Sequence, residues 1–179
     1  MTEFLTPRLR LRPIELGDLD DLHEIFGDPI AMEFFPNTRS REETVPLVER
    51  SVAAHAKDGA GFFAMCSRGS GEVLGQCGLL WQEVDGEQEL EIGYHCKRRH
   101  WRQGYTGEAA LCLRDVAFDR HGRARVISLI RPGNEGSFGV ARRLGMTLWK
   151  ESEFKGLEVH VMRLLRDEFL RIRAFQNES

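Results

Sequence analysis

The sequence predicts an α/β protein in which a central, mostly antiparallel sheet of seven strands is flanked by about four helices. Three observations carry that expectation. Stretches with period-two alternation share the chain with stretches at helical spacing. Three extended segments follow one another across Gly-Ser-Gly and Asp-Gly turn signals between residues 61 and 96. Glycines sit where predicted helices must end, at Gly27, Gly122 and Gly145. A chain of 179 residues with no internal repeat or low-complexity block is the length of one domain, and we expect a single domain over 1–179.

The elements follow in order. Arg8-Leu9-Arg10-Leu11-Arg12 alternates strictly, as a strand with one apolar face does, and Pro13 ends it or puts it at an edge. Leu19, Leu22, Ile25 and Phe26 recur at helical spacing before Gly27 and Pro29. Ser40-Arg41-Glu42-Glu43 is a capping-box pattern for a second helix reaching about Lys57, with Pro46 an awkward resident of its first turns. Phe62 to Cys66, Val73 to Trp81 and Glu89 to His95 form the meander. A basic, glycine-containing loop from Lys97 to Gly107 leads into an apolar helix from about Gly107 or Glu108 to His121. The chain returns as a strand at Arg125–Ile130. Asn134 can cap a helix carrying Phe138, Ala141 and Leu144. Strands at about Thr147–Ser152 and Leu157–Leu165 meet at a Lys155-Gly156 turn, and the charged tail after Arg166 reads as a frayed helix.

Composition narrows the function. Twenty-five basic against 28 acidic side chains give a net charge of −3, the wrong balance for a dedicated nucleic-acid binder. No run approaches the ~20 apolar residues of a membrane span, and the start has no apolar core with small residues behind it, so a cytoplasmic protein without membrane attachment is expected. Cys66, Cys77, Cys96 and Cys112 are scattered without metal-ligand spacing; they read as reduced core fillers, with no metal.

The loop from Cys96 to Gly107 carries the chemistry. A strand feeding a glycine loop and then a helix points several amides and the positive end of a helix dipole at one spot, a setting for phosphate or pyrophosphate. Lys97, Arg98, Arg99 and Arg102 add positive charge. Taken alone, Gly104-x-x-Gly107 is equally an ordinary turn at a helix start, since it completes neither a dinucleotide fingerprint nor a P-loop.

Four motifs in order, EIGY at 91–94, WRQGYTGEA at 101–109, RPGNEGS at 131–137 and RRLGM at 142–146, make the sequence resemble the GNAT superfamily of acetyl-CoA-dependent N-acetyltransferases, nearest its Rim-type ribosomal-protein branch. The resemblance covers essentially the whole chain and implies several roles. The family's pyrophosphate pattern, Gln/Arg-x-x-Gly-x-Gly/Ala, falls on Trp101 to Thr106 and departs at both ends. It implies that amides around Gln103, Gly104, Tyr105, Thr106 and Gly107 hold the pyrophosphate, with Arg98, Arg99 or Arg102 beside it. It sets Tyr94, His95 and Cys96 along the pantetheine arm, with a backbone amide near His95 polarising the thioester carbonyl. Asn134 matches the asparagine that bonds the pantetheine region, a role compatible with capping a helix.

Acetyl transfer to an amine needs a proton acceptor and a proton donor for the departing thiolate. By resemblance Glu91 is the base, directly or through water, with Glu89 a second carboxylate in a relay; as bare residues both read equally as solvated or ion-paired. The tyrosine acid common in the family would fall on Ala141, so Ser137 is the candidate acid, with a backbone-bonding hydroxyl as its ordinary reading. His160 is a lesser candidate for the acceptor pocket, and Trp81, Phe34 and Phe35 read as core more than pocket wall. No base accompanies Cys96 or Cys112, which disfavours a covalent acetyl-cysteine.

The resemblance implies direct attack in a ternary complex on an acceptor that is a protein N-terminus or a small amine, and a homodimer. Two other readings stay open: an inactive acyl-CoA-binding sensor or partner module, suggested by Ala141 and the imperfect loop, and an RNA-binding surface at Lys97–Arg102, disfavoured by the overall acidity.

Overall fold

The computed structural model describes residues 3–58 and 60–177. Alternation around Leu9 and Leu11 becomes an inner strand with both leucines fully buried and Arg10 exposed. A two-residue strand, β1 (Phe4–Leu5), pairs along its outer edge. The sheet therefore has eight strands where seven were expected, because two residues are too short to display alternation. The others are β2 (Leu9–Pro13), β3 (Gly61–Ser67), β4 (Val73–Val84), β5 (Glu87–Cys96), β6 (Arg125–Ile130), β7 (Thr147–Phe154) and β8 (Leu157–Leu165), in the order β1-β2-β3-β4-β5-β6-β8-β7.

Among the described residues five α-helices accompany them: α1 (Leu19–Phe26), α2 (Arg41–Asp58), α3 (Tyr105–Asp119), α4 (Glu135–Arg143) and α5 (Arg166–Asn177). The capping box forms as read, with the Ser40 hydroxyl accepting from the Glu43 amide at 3.2 Å and the Glu43 carboxylate accepting from the Ser40 amide at 2.8 Å. Pro46 stays inside α2, where the missing N–H frees a single carbonyl near the solvated start of the helix. The tail is a fifth packed helix, because Phe169 is fully buried and stacks on Phe118 at 4.5 Å between ring centres.

One face of the sheet packs α3, α4 and α5 around Leu113, Phe118 and Ala141; the other packs α1 and α2 through Leu22, Ile25 and Val48. Every neighbouring pair of strands is antiparallel except β5 and β6, whose parallel connection passes through α3. Here the sheet opens. β4 and β5 are in register from Gly75↔Cys96 to Val84↔Glu87, whereas β5 meets β6 at Glu91↔Ile127 alone. Beyond that point the two strands part, and the Ser128 hydroxyl donating to the Ile92 carbonyl at 2.8 Å ties the apex.

Candidate active site

The parting leaves one edge of β5 unpaired after Ile92 and opens a cleft of about 700 Å³ that reaches Glu91, Tyr94, His95, Asn134 and Ser137. Period two puts residues 91, 93 and 95 toward α1 and α2, and residue 94 toward α3 and α4.

Glu91 sits at the apex. Its carboxylate accepts from the Gln82 side-chain amide at 2.7 Å and from the Leu129 backbone N–H, with Lys155 acting on it as a nearby charge. Burial outweighs these and pushes the carboxyl above its ordinary range. Glu89 lies on the same face but outside the cleft, fully buried and paired with Arg125, so it is a structural carboxylate.

His95 is neutral. Burial lowers its pKa to about 4, and Phe26, Phe35 and Phe62 surround the ring with centroids 5.1–5.7 Å away. Gln76 Nε2 lies 3.1 Å from Nδ1, an arrangement that puts the ring proton on Nε2, and Nε2 has no partner among the described residues. Cys96 donates to the Leu74 carbonyl at 3.5 Å, and burial raises its thiol pKa, the opposite of what a nucleophile needs.

Across the cleft, Asn134 caps α4 by accepting from the Ser137 amide at 3.1 Å. The Ser137 hydroxyl lines the cleft without a partner among the described residues, and its carbonyl accepts from the Tyr94 hydroxyl at 2.9 Å. Burial raises the Tyr94 pKa, so this phenol remains a donor. Ala141, at the place of the family's tyrosine, is fully buried in the core.

The helix after the loop begins at Tyr105, two residues before its expected start, because Gly104 takes the left-handed conformation (φ 81°) and turns the chain into α3. Among the described residues no acceptor meets the backbone N–H groups of 103–107; the first helical bond of α3 is Glu108 N–H to the Gly104 carbonyl. Free amides at a helix start are the geometry that suits an anion. Thr106 directs its hydroxyl to the Cys96 thiol, which turns its bulk inward.

The basic run is largely engaged elsewhere. Lys97 is buried against Asp21 and Glu24, Arg98 pairs with Asp28, and Arg99 pairs with Glu24 and Glu72, leaving Arg102 without an ion pair among the described residues. Two cations the sequence reading passed over stand at the helix end instead. Arg8 donates to the Gln103 carbonyl at 2.9 Å and pairs with Glu108 at 2.6 Å, while the Arg143 side chain lies alongside Gly104 and Gly107. Neither carries a local signal: Arg8 is 95 residues from Gln103, and its alternating neighbours speak only of a strand. The aromatic reading also shifts. Trp81 and Phe35 are 38% and 41% exposed and line the cleft, whereas His160 turns away to Glu151 and Phe138.

Among the described residues no group of three or more His, Cys, Asp or Glu side chains could hold a metal ion, and no helix is long and apolar enough to cross a membrane.

Comparison with known proteins places this cleft in a family. The family model described as acetyltransferase (GNAT) domain matches residues 8–147. The uncharacterized protein YkkB of Bacillus subtilis is 34% identical over 146 residues, covering 81% of this chain and 85% of its own. The crystal structure of an acetyltransferase from Agrobacterium tumefaciens superposes with a TM-score of 0.80 at 26% identity, over 92% of this chain and 94% of that one. RimL, the ribosomal L7/L12 alpha-N-protein acetyltransferase solved with coenzyme A, shares the fold with a TM-score of 0.76 at 20% identity, over 93% and 99% of the two chains. A match running from Arg8, beside the amide-lined end of α3, through the parted strands to Thr147 takes in β5, β6 and α4 around the opening, and the chain belongs to the GNAT family of N-acetyltransferases, which move acetyl from acetyl-CoA to amines.

Proposed function

We propose that the protein binds acetyl-CoA with its pyrophosphate at the start of α3 and its pantetheine arm between β5 and β6, and transfers the acetyl group to a primary amine by direct attack in a ternary complex. The observation that carries the reading is the single β5–β6 register pair at Glu91↔Ile127, which sets one carboxylate at the apex of an open strand edge. The unpaired amides of 103–107, with Arg102, Arg8 and Arg143 around them, fit a doubly charged pyrophosphate. Tyr94, His95, Cys96 and Asn134 line or border the path of the arm.

In the proposed step the neutral amine attacks the thioester carbonyl, the C–N bond forms and the C–S bond breaks. Glu91 takes the proton the amine sheds, directly or through a water, and its raised pKa brings it closer to the operating pH of a general base. A backbone N–H near His95 supports the charge that develops on the carbonyl oxygen. Ser137, whose hydroxyl has no partner among the described residues, gives a proton to the departing thiolate and regains one from solvent. The acceptor is a small amine or, in keeping with the named role of RimL, a protein N-terminus.

Calorimetric titration with acetyl-CoA, with ATP and NAD as controls, followed by thiol release in the presence of an amine panel, tests the proposal. Saturable binding confined to acetyl-CoA and amine-dependent thiol release are expected; absence of binding across salt and pH overturns it.

A further inference from the structure

The cleft carries a charge pattern that the chain as a whole does not. The protein has a net charge of −3, yet among the described residues the charged side chains lining the cleft are Arg39, Arg50, Lys57, Arg131 and Lys155 against one carboxylate, Glu91. None of these cations forms a direct ion pair among the described residues, although Lys155 acts on Glu91 at longer range. Arg131 donates to the Glu158 carbonyl at 2.7 Å, and Lys155 lies 4.7 Å over the Phe154 ring. Several cations elsewhere are matched, among them Arg12 with Asp18, Lys97 with Asp21 and Glu24, and Arg125 with Glu87 and Glu89.

These side chains come from elements away from the donor loop. Arg39 precedes α2, Arg50 and Lys57 lie on α2, Arg131 follows β6, and Lys155 occupies the β7–β8 turn. The phosphates in the proposed donor pose face the start of α3 and its own cations, so this second positive set is left for the other substrate. Between the cations the wall is aromatic, with Phe34, Phe35, Trp81 and Phe154 on the cleft surface. The cavity of about 700 Å³ must also hold the thioester end of the donor, which leaves room for a compact acceptor.

We propose, building on the acetyl-transfer reading above, that the acceptor is a compact primary amine that also carries carboxylate on an apolar body, such as a free amino acid or the acidic N-terminal residues of a peptide. A cleft lined by one sign of charge with low-dielectric walls concentrates ligands of the opposite sign. Polyamines and aminoglycosides are disfavoured by the same field, since their extra ammonium groups would find one carboxylate, and Glu91 is needed for the proton. The transfer balances as before: the amine nitrogen gains the acetyl carbon and loses a proton, CoA leaves as the thiol, and the product is an N-acetyl carboxylate.

The experiment measures thiol release from acetyl-CoA by the purified full chain with matched acceptors: phenylalanine, phenylalaninamide, glutamate, an acidic tetrapeptide and spermidine, each compared per unit of neutral amine. A kcat/KM at least tenfold higher for a carboxylate-bearing acceptor than for the amide is expected, with KM rising several-fold between 50 and 500 mM salt. Preference for glutamate or phenylalanine identifies a free amino acid; preference for the tetrapeptide identifies a protein terminus. Lys155→Glu and Arg39→Glu, both at the exposed rim, are expected to raise KM for the anionic acceptor about tenfold while calorimetric acetyl-CoA affinity stays put. Equal or better use of the amide or spermidine overturns the acceptor class and leaves acetyl transfer standing. No heat with acetyl-CoA and no thiol release with any amine removes the transfer reading itself.

Discussion

Two side chains on one face of β5 have protonation states set by burial in opposite senses, and each makes its own prediction. Burial raises the Glu91 carboxyl, so the unfolded chain gives up this proton at lower pH than the folded one. The stabilising contribution is therefore complete below the ordinary carboxyl pKa and is lost as pH climbs through the raised value. Glu91→Gln keeps an acceptor for Gln82 and removes the buried charge, so it should melt at a higher temperature than the parent at pH 8, with the two proteins converging near pH 4 in scanning calorimetry. The same variant should lower kcat by about 10²–10⁴-fold with acetyl-CoA affinity nearly unchanged, as expected for loss of a general base. Unaltered turnover across pH would remove Glu91 from the mechanism. His95 works the other way: its pKa falls to about 4, so stability present above pH 6.5 declines as pH drops from 6.5 toward 4. His95→Phe should flatten that acid limb, worth about 1–3 kcal/mol, in urea titrations at pH 7 and pH 5. The sequence could name both residues, but alternation puts Glu91 and Glu89 on one face and only the family resemblance set them apart; their physical difference lies in the partners Gln82 and Arg125, the latter 36 residues distant from Glu89.

At the scale of elements, the informative unit is the turn into α3. Strand, glycine loop and helix were legible because they are local: alternation through Glu89–His95, then a glycine where the backbone must go left-handed. What surrounds the turn was not legible. Burial of Lys97 under α1, engagement of Arg98 and Arg99 by Asp28, Glu24 and Glu72, and placement of Arg8 and Arg143 at the helix end all come from tertiary packing, which no spacing rule encodes. Nor does a two-residue strand such as β1 leave a period to read. The geometry makes a specific demand at Gly104. A Cβ there would sit 3.3 Å from an Arg8 guanidinium nitrogen on a backbone with φ 81°, so Gly104→Ala should cost about 1 kcal/mol in stability. It should also weaken acetyl-CoA binding more than it alters kcat at saturation. Arg143→Ala, which leaves the turn intact, should raise the acetyl-CoA Kd roughly 5–10-fold through loss of a charge-assisted contact, with an effect that shrinks in high salt.

For the whole molecule, the parted strands mean that the sheet is two halves, β1 to β5 and β6 to β8, in contact along one short parallel seam. The seam is held by the Glu91↔Ile127 pair, the Ser128 to Ile92 bond and the packing of α3 across both halves. A ligand that fills the opening supplies the missing pairing to β5 and ties the second half to it. Binding to the native state alone raises stability by about 2.7 kcal/mol at a concentration 100 times Kd, which for a chain of this length is roughly 5–11 °C in Tm. The local signature is sharper than the global one. Without ligand the amides of 103–107 and the β6-facing edge of β5 beyond Ile92 lack acceptors among the described residues and should exchange with deuterium early. Acetyl-CoA should slow exchange at both places together, since pyrophosphate and pantetheine belong to one molecule, while amides on the β4-facing edge of β5, already paired from Gly75↔Cys96 onward, change little. Protection at the helix start without protection on β5 would mean that the phosphates dock but the arm does not enter the sheet, and the cleft would then need a different occupant.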